Sequence, residues 1–413
     1  MFKKINNALN PSLRHPEQER ASRINKVGAI ILLAILYVFL FVLDNFLPAS
    51  SFTGMLIPVL RKGAIYALLC VSMNLLNGFT GLFSLGQAGF MLIGGYAYAI
   101  LSIPASQHAA VYQYFDGGAI QFSIPEFFSS FLGAGLGSFV GSIICIIIAG
   151  CIAAVFAALV GIPVLRLKSD YLAIATLGFA EIIRALFQWN GFGLITNGSN
   201  LLRKYTALSD IRWDIGSVSL KFGTVFVFLI VTICILLIIL LINSSYGRAF
   251  KAIRDDEISA EAMGINLFKH KMMSFIISSF FAGVGGALLA MYQTTIQSAA
   301  FTSAMTYEIL LMVVIGGVGS VSGSGIAAFL YIAANEWWLR FLDSGAIGNI
   351  EVSFFRGGFR KVIFSIAIMI IVLFFSRGIM GDKELSITGV INWFKSRKER
   401  KLAKKVNAAK EGE

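Results

Sequence analysis

Charge is what this sequence has least of. Only 14% of its 413 residues are Asp, Glu, Lys or Arg, against about 25% in soluble globular domains, so a soluble enzyme or soluble binding domain is excluded as the class. Cysteine and histidine are scarce as well. The four cysteines, Cys70, Cys145, Cys151 and Cys234, lie in apolar runs without the paired spacing of a zinc site or disulfide framework and read as packing residues. The three histidines, His15, His108 and His270, are far apart and read as solvated loop positions, so no metal is expected. No G-x-x-x-x-G-K-[ST] phosphate loop occurs, so no ATPase site of that kind belongs to the chain, and no cofactor is expected. Intramembrane His, Asp or Ser constellations at helical spacing, which an embedded enzyme would need, are not evident.

What is present is apolar length. Hydrophobic residues make up 57% of the chain and the mean hydropathy is +0.79. Runs such as VFVFLIVTICILLIILLI from Val225 to Ile242 do not alternate, which rejects a β-barrel. The expected fold is all-α, a polytopic transmembrane helical bundle of about ten spans of roughly 20 residues each. They are placed at Gly28–Phe46, Met55–Leu76, Ser84–Ile103, Gly137–Leu165, Tyr171–Trp189, Gly223–Ile242, Met272–Tyr292, Thr306–Val318, Ile326–Leu342 and Val362–Phe375. The first, starting nearly thirty residues in and lacking a small-residue cleavage signature, resembles an uncleaved anchor. Three regions follow: a basic N-terminus over 1–27, a transmembrane domain over 28–376 and a basic tail over 377–413. With both termini in the cytoplasm, 23 of the 34 lysines and arginines fall inside and ten outside, as the positive-inside rule requires. Among the outside ten are Arg61 and Lys62, expected to snorkel to the interface. The net charge of +12 is concentrated in the termini, notably KSRKERKLAKK from Lys395 to Lys405. That placement beside spans favours anionic membrane lipid over nucleic acid as the partner.

The polar exception is NSSYGRAFKAIRDDEISAEAMGINLFKHK, Asn243 to Lys271, set between two long apolar segments. A plain cytoplasmic loop is one reading, but the local signals predict two short capped helices. Gly247 opens the first; Asp255 or Asp256 caps the second, which runs from about Glu257 to Met263 with carboxylates in its first turn. Gly264 follows, where a left-handed residue is wanted. Glu257 and Glu261, four apart, would present an acidic knob flanked by Arg248, Lys251 and Arg254. A compact unit of this shape suits transmission of force better than catalysis.

The 41 glycines are clustered. GFTGLFSLGQAGFMLIGGYAYA, Gly78 to Ala99, starts with a break and continues as a helix with Gly86, Gly89 and Gly94 near one side; IGGVGSVSGSGIAAF, Ile315 to Phe329, cannot be one regular helix. Broken helices bordering a cavity and close helix packing through small residues both account for such runs. As candidates for lining a translocation path the sequence offers Gly86, Gln87, Gly89, Tyr171, Thr176, Glu181, Arg184, Gly316, Gly317 and Gly319. Glu181 and Arg184, i,i+3 neighbours, form a packing ion pair on the favoured reading and a substrate site on the other. The scarcity of intramembrane titratable groups argues against proton-coupled transport. A knob without an engine implies a partner ATPase.

Four blocks occur in order: GLFSLGQAGFMLIGGYAYA, LRLKSDYLAIATLGFAEIIRA, SSYGRAFKAIRDDEISAEAMGI and ILLMVVIGGVGSVSGSGIAA. Together they resemble the LivM type of permease, from about Ile57 to Gly378. That resemblance implies one membrane subunit of a bacterial ABC importer for branched-chain amino acids. Its implied partners are a second permease subunit in a heterodimer, two cytoplasmic ATP-binding subunits and an extracytoplasmic substrate-binding protein, all at the cell membrane. It also implies that Gly247, Arg248, Ala249, Arg254, Asp255, Glu257, Glu261, Ala262 and Gly264 form the ATPase-coupling loop. The chain departs from the family pattern at ITNGSNLL, Ile195 to Leu202, and at SGSG, Ser322 to Gly325, where relatives carry proline. The segments Ser102 to Ser130 and Gly191 to Lys221 would form an outer platform for the binding protein, with free solvated loops as the alternative. Relatives with similar blocks serve urea, amides or aromatic acids, the alternative cargoes; a channel or secondary transporter is the rival reading of a different class.

Overall fold

The computed structural model describes residues 16–46, 51–115, 117–167, 169–215 and 218–338, with scattered positions between 346 and 384. Twelve of its helices are used below. They are α1 (Pro16–Asn45), α2 (Ser51–Asn74), α3 (Gln87–Ser102), α4 (Ile124–Leu132), α5 (Ala134–Val164), α6 (Ser169–Gln188), α7 (Gly223–Asn243), α8 (Ser245–Asp255), α9 (Glu257–Ala262), α10 (Leu267–Gln293), α11 (Ser303–Gly316) and α12 (Val321–Ala333). The chain divides into two units, residues 1–42 with 383–413, and residues 43–382. In the first unit α1 exposes Ile30, Ile31, Ile35, Val38 and Phe39, the surface expected of a helix solvated by lipid.

Among the described residues six helical stretches are long and apolar enough to cross a membrane: Val27–Asn45, Gly54–Phe79, Gly135–Val164, Tyr171–Gln188, Gly223–Asn243 and Leu267–Gln293. Helix α3 joins Ala105–Val111 across a 100° bend, so the expected span at Ser84–Ile103 begins three residues later and ends in a sharp turn. The expected span at Thr306–Val318 is the 14-residue α11, about 21 Å long at 1.5 Å per residue and short of a hydrocarbon core of about 30 Å. The one placed at Ile326–Leu342 begins earlier, at Val321, and passes into a π-turn over Ala334–Trp338. The last, Val362–Phe375, lies almost wholly outside the described residues, as does the basic tail.

The core of the second unit is built around α3 and α10, flanked by α2 and α5. Helix α3 is buried nearly all round, as an apolar helix inside a bundle should be. Glycine sets the approach. A Cβ on Gly94 would lie 2.1 Å from the Gly283 carbonyl oxygen, and one on Gly286 would lie 2.0 Å from that of Met91, so only bare backbone fits where α3 and α10 cross. Gly86 and Gly89 face Thr176 and Ala180 of α6 instead; the expected single glycine face is split because Gly94 lies five residues, well over one turn, beyond Gly89.

At the far end of α10 short elements tie the helices together. β1 (Leu202–Arg203) pairs antiparallel with β4 (Thr295–Ile296), and β2 (Arg212–Ile215) with β3 (Val218–Lys221). The Tyr98 hydroxyl donates to the Thr206 carbonyl at 2.8 Å and that of Tyr205 to the Ala290 carbonyl at 2.9 Å. His108, expected in solvent, is 2% exposed and stacks on Tyr112. Of the cysteines, Cys70, Cys145 and Cys234 are buried and Cys151 is exposed.

Candidate functional site

The loop between α7 and α10 is folded into two capped helices. Ser244 caps α8, its hydroxyl accepting from the Gly247 amide at 3.5 Å, so the helix starts at Ser245 and Gly247 lies within its first turn rather than opening it. The glycine is needed there for space: a Cβ would lie 2.1 Å from the Ile242 carbonyl oxygen at the end of α7. Phe250, Ile253 and Ala260 are buried and anchor the unit. Asp256 caps α9, accepting from the Ile258 amide at 2.9 Å and the Ser259 amide at 3.1 Å, with the Ser259 hydroxyl donating at 3.0 Å. These bonds, those from Ser259 first, hold the Asp256 carboxyl below the ordinary carboxylate range. α9 closes with the Gly264 amide on Glu261 and the Ile265 amide on Ala260, the paired bonds of a Schellman motif, with Gly264 at φ +84°.

The exposed tip is not a purely acidic knob. Lys271, at the start of α10, donates to Glu257 at 2.6 Å, so that carboxylate is already engaged. Glu261 and Ala262 remain exposed with Ile258 (82%) and Met263 (83%). Arg248 donates to the Ser245 hydroxyl and Ala249 is half-buried. Arg254 points back into the bundle. Its Nε and Nη2 hold Asp255 at 3.1 and 2.9 Å, and its Nη1 donates to the Gly78 carbonyl at 3.2 Å.

Gly78 lies in a π-turn, Leu75–Phe79, that ends α2. One turn earlier Asn74, fully buried, uses its whole amide: Oδ1 accepts from the Gly319 amide at 2.9 Å, and Nδ2 donates to the Ser320 carbonyl at 2.9 Å and the Ser324 hydroxyl at 2.8 Å. These partners form the break between α11 and α12, where Gly317 and Gly319 have φ +114° and +92° and Ser320 caps α12. The SGSG stretch therefore lies in the first turns of α12. Gly316 faces Gly323 so closely that a Cβ would lie 2.5 Å from its carbonyl carbon. The Ile379 and Met380 amides donate to the Ile315 and Gly316 carbonyls at 2.8 and 3.2 Å.

Of the other path candidates, Thr176, Gln87, Glu181 and Arg184 are bonded to neighbours and Tyr171 is not among them. Thr176 Oγ1 accepts from the Leu85 amide at 3.0 Å, Gln87 donates to the Ser72 hydroxyl at 2.8 Å, and Tyr171 is exposed. Glu181 pairs with Arg184 at 2.7 Å and accepts from the Ser303 amide at 3.3 Å, bridging α6 to the start of α11.

The apolar helical bundle agrees with sequence comparison. The family model described as branched-chain amino acid transport system / permease component matches residues 55–375. The chain belongs to this family. The high-affinity branched-chain amino acid transport system permease protein LivM of Escherichia coli (strain K12) is 32% identical over 293 residues, 66% of this chain and 61% of that protein. Its Salmonella typhimurium counterpart is 31% identical with the same coverage. A probable LivH permease of Methanocaldococcus jannaschii is 25% identical over 44% of this chain and 56% of its own length. The chain thus spans about three fifths of the length of the first two relatives. No solved structure is a significant match.

Membership in a permease family makes the polar groups between its helices informative, and sequence reading missed several. Arg61 meets groups at the ends of two spans: its Nε donates to Thr224 Oγ1 at 2.6 Å and its Nη2 meets Asp44 at 3.3 Å, while Asp44 also accepts from the Thr224 amide and hydroxyl. Lys62 pairs with Glu336. Each cation is turned inward because a neighbouring helix supplies a carboxylate, which removes the cost of an unpaired charge in apolar surroundings. Asn74 was detectable only as a lone amide four residues before Gly78 in an apolar run; its partners lie about 245 residues away and leave no local signal.

Proposed function

We propose that this family member is a permease subunit of an ATP-binding cassette importer for branched-chain amino acids, leucine, isoleucine and valine, delivered by an extracytoplasmic binding protein. In this reading it pairs with a second permease subunit, and two cytoplasmic ATP-binding subunits, which hold the nucleotide, engage the knob. The observation that carries the reading is the knob itself. It is capped at both helix starts, anchored by Phe250 and Ile253, and exposes Ile258, Glu261 and Met263 at its tip.

A rigid contact element fits a subunit without its own phosphate loop. Nucleotide binding would draw the ATPases together and displace the knob. The Gly247–Ile242 approach fixes the knob to α7, and the Glu257–Lys271 pair fixes it to α10, so both spans would follow. Affinity for the amino acid would reside mainly in the binding protein. The bundle then needs only a transient passage, consistent with Gln87 and Thr176 being bonded to neighbouring groups in this conformation. Both termini are assigned to the knob side, the cytoplasm, where the basic tail would meet anionic lipid.

The test is uptake of radiolabelled leucine, isoleucine and valine into proteoliposomes holding this chain, its partner permease and the ATPases, with the binding protein and ATP present or omitted. Uptake that requires both is the expected result. ATP-dependent uptake of urea, an amide or an aromatic acid in their place would retain the importer and replace its cargo. Flux through the chain alone would overturn the reading in favour of a channel.

A further inference from the structure

We infer that Arg254 and Asn74 are positioning residues that carry displacement of the knob to the glycine break between α11 and α12, and that this break is the hinge the knob works. The inference rests on the proposed coupling to partner ATPases and goes further, naming where the movement enters the bundle.

The last turn of α8 lies directly on the discontinuity that follows α2. Arg254 Nη1 donates to the Gly78 carbonyl, and a Cβ on Gly81, at φ +77°, would meet the Arg254 side chain and Cα at 2.9–3.2 Å. Lys251 lies 5.6 Å from the centre of the Phe79 ring. A π-turn widens the helical ladder and recurs at functional positions; here it presents the Gly78 carbonyl to the knob. Gly78 in turn sits beneath Asn74, with no room for a Cβ, which would lie 1.8 Å from Asn74 Oδ1 and 2.7 Å from the Gly319 amide nitrogen. A shift of the Gly78 backbone therefore displaces Asn74 and Gly319 together.

Asn74 is suited to pass the shift on. It is fully buried, and its oxygen and nitrogen are bonded to the amide of Gly319, the carbonyl of Ser320 and the hydroxyl of Ser324, so the side chain is held from both sides. Beyond it the backbone can yield. Gly317 and Gly319 occupy dihedrals that residues with a Cβ rarely adopt, and helix ends with such residues are where hinges absorb rotation. The path runs from the knob through the Gly78 carbonyl and Asn74 to the start of α12, crossing two helix discontinuities by single side chains.

The test uses the complete transporter in proteoliposomes with a cysteine introduced at Ser322, which is half-buried in the first turn of α12 beside the break, and Cys151→Ser to remove the exposed native thiol. The rate of maleimide labelling is measured with and without ATP. The parent should change rate by about fivefold or more on adding nucleotide, the lower range of coupling between linked sites. Arg254→Gln and Asn74→Ser should lose that change, and the Asn74 variant should keep basal ATP hydrolysis by the partner subunits while uptake falls. Should Asn74→Ser not assemble, Ser324→Ala, which removes one bond to the same amide, carries the test with a reduced response expected. A parental response in the variants, or a parent break that ignores nucleotide while uptake proceeds, overturns the relay. A nucleotide response lost in the variants without uptake of any branched-chain amino acid upholds the relay and rejects the cargo.

Discussion

Glu261 and Asp256 are adjacent in the knob and have opposite duties. Glu261 faces outward with Ile258 and Met263, so reversing its charge should disturb a partner and not the fold: Glu261→Arg should lower uptake while membrane insertion stays normal, measured by transport and by ATPase stimulation in the same vesicles. Unchanged uptake and stimulation would remove Glu261 from the docking surface. Asp256 faces its own helix, and its carboxyl is held low by the Ser259 and Ile258 bonds. A depressed folded-state value means the charged cap stabilises α9 above the ordinary Asp range near about 3.9, and that this contribution fades as pH falls through the lowered value. Protection of the Ile258 and Ser259 amides, taken relative to their intrinsic exchange rates at each pH, should therefore hold steady near neutral pH and fall only in strong acid. In Asp256→Asn the acid-dependent part should vanish. Asp256 and Gly264 were legible in the sequence because capping is local. The role of Gly247 was misread, since its lack of a Cβ answers the closing turn of α7 and not the opening of α8.

Helical elements here are joined at their ends by buried charge as much as by apolar packing. Asp44 at the end of α1 is 2% exposed in its side chain and bonds both Arg61 of α2 and Thr224 at the start of α7. Breaking such a pair from one side leaves a buried charge, at a cost of about 3–5 kcal/mol. Arg61→Met should lower the thermal midpoint of the purified protein sharply, and adding Asp44→Asn should recover part of the loss, the coupling that a double-mutant cycle reads. Additive effects would show that the two do not interact. The sequence suggested that Arg61 would snorkel and did not reveal its partners; Asp44 lies 17 residues away along the chain and Thr224 163.

The molecule as a whole turns on the α3–α10 crossing, where glycine permits contact that no side chain could share. Gly94→Val would place branched carbon against the Gly283 backbone, and overpacking of that kind costs about 1–3 kcal/mol or more. Reduced yield and a lowered thermal midpoint in detergent are expected, with Gly178→Val, a glycine with nothing within 4 Å, as the tolerated comparison. Composition and apolar run length alone determined the class: too little charge for a soluble chain, spans without alternation, a capped polar island and two glycine runs that could not be plain helices. Those signals sit within one or two helical turns, where propensity and capping act. Only the tertiary structure decided that Asn74 grips the α11–α12 break, that Arg254 reaches the Gly78 carbonyl, that Arg61 has an acid beside it and that Gly89 and Gly94 serve different helices. Each depends on which spans become neighbours, and in a bundle of uniformly apolar helices that is set by the fit of small residues and a few buried polar bonds spanning hundreds of residues, for which the local sequence carries no period.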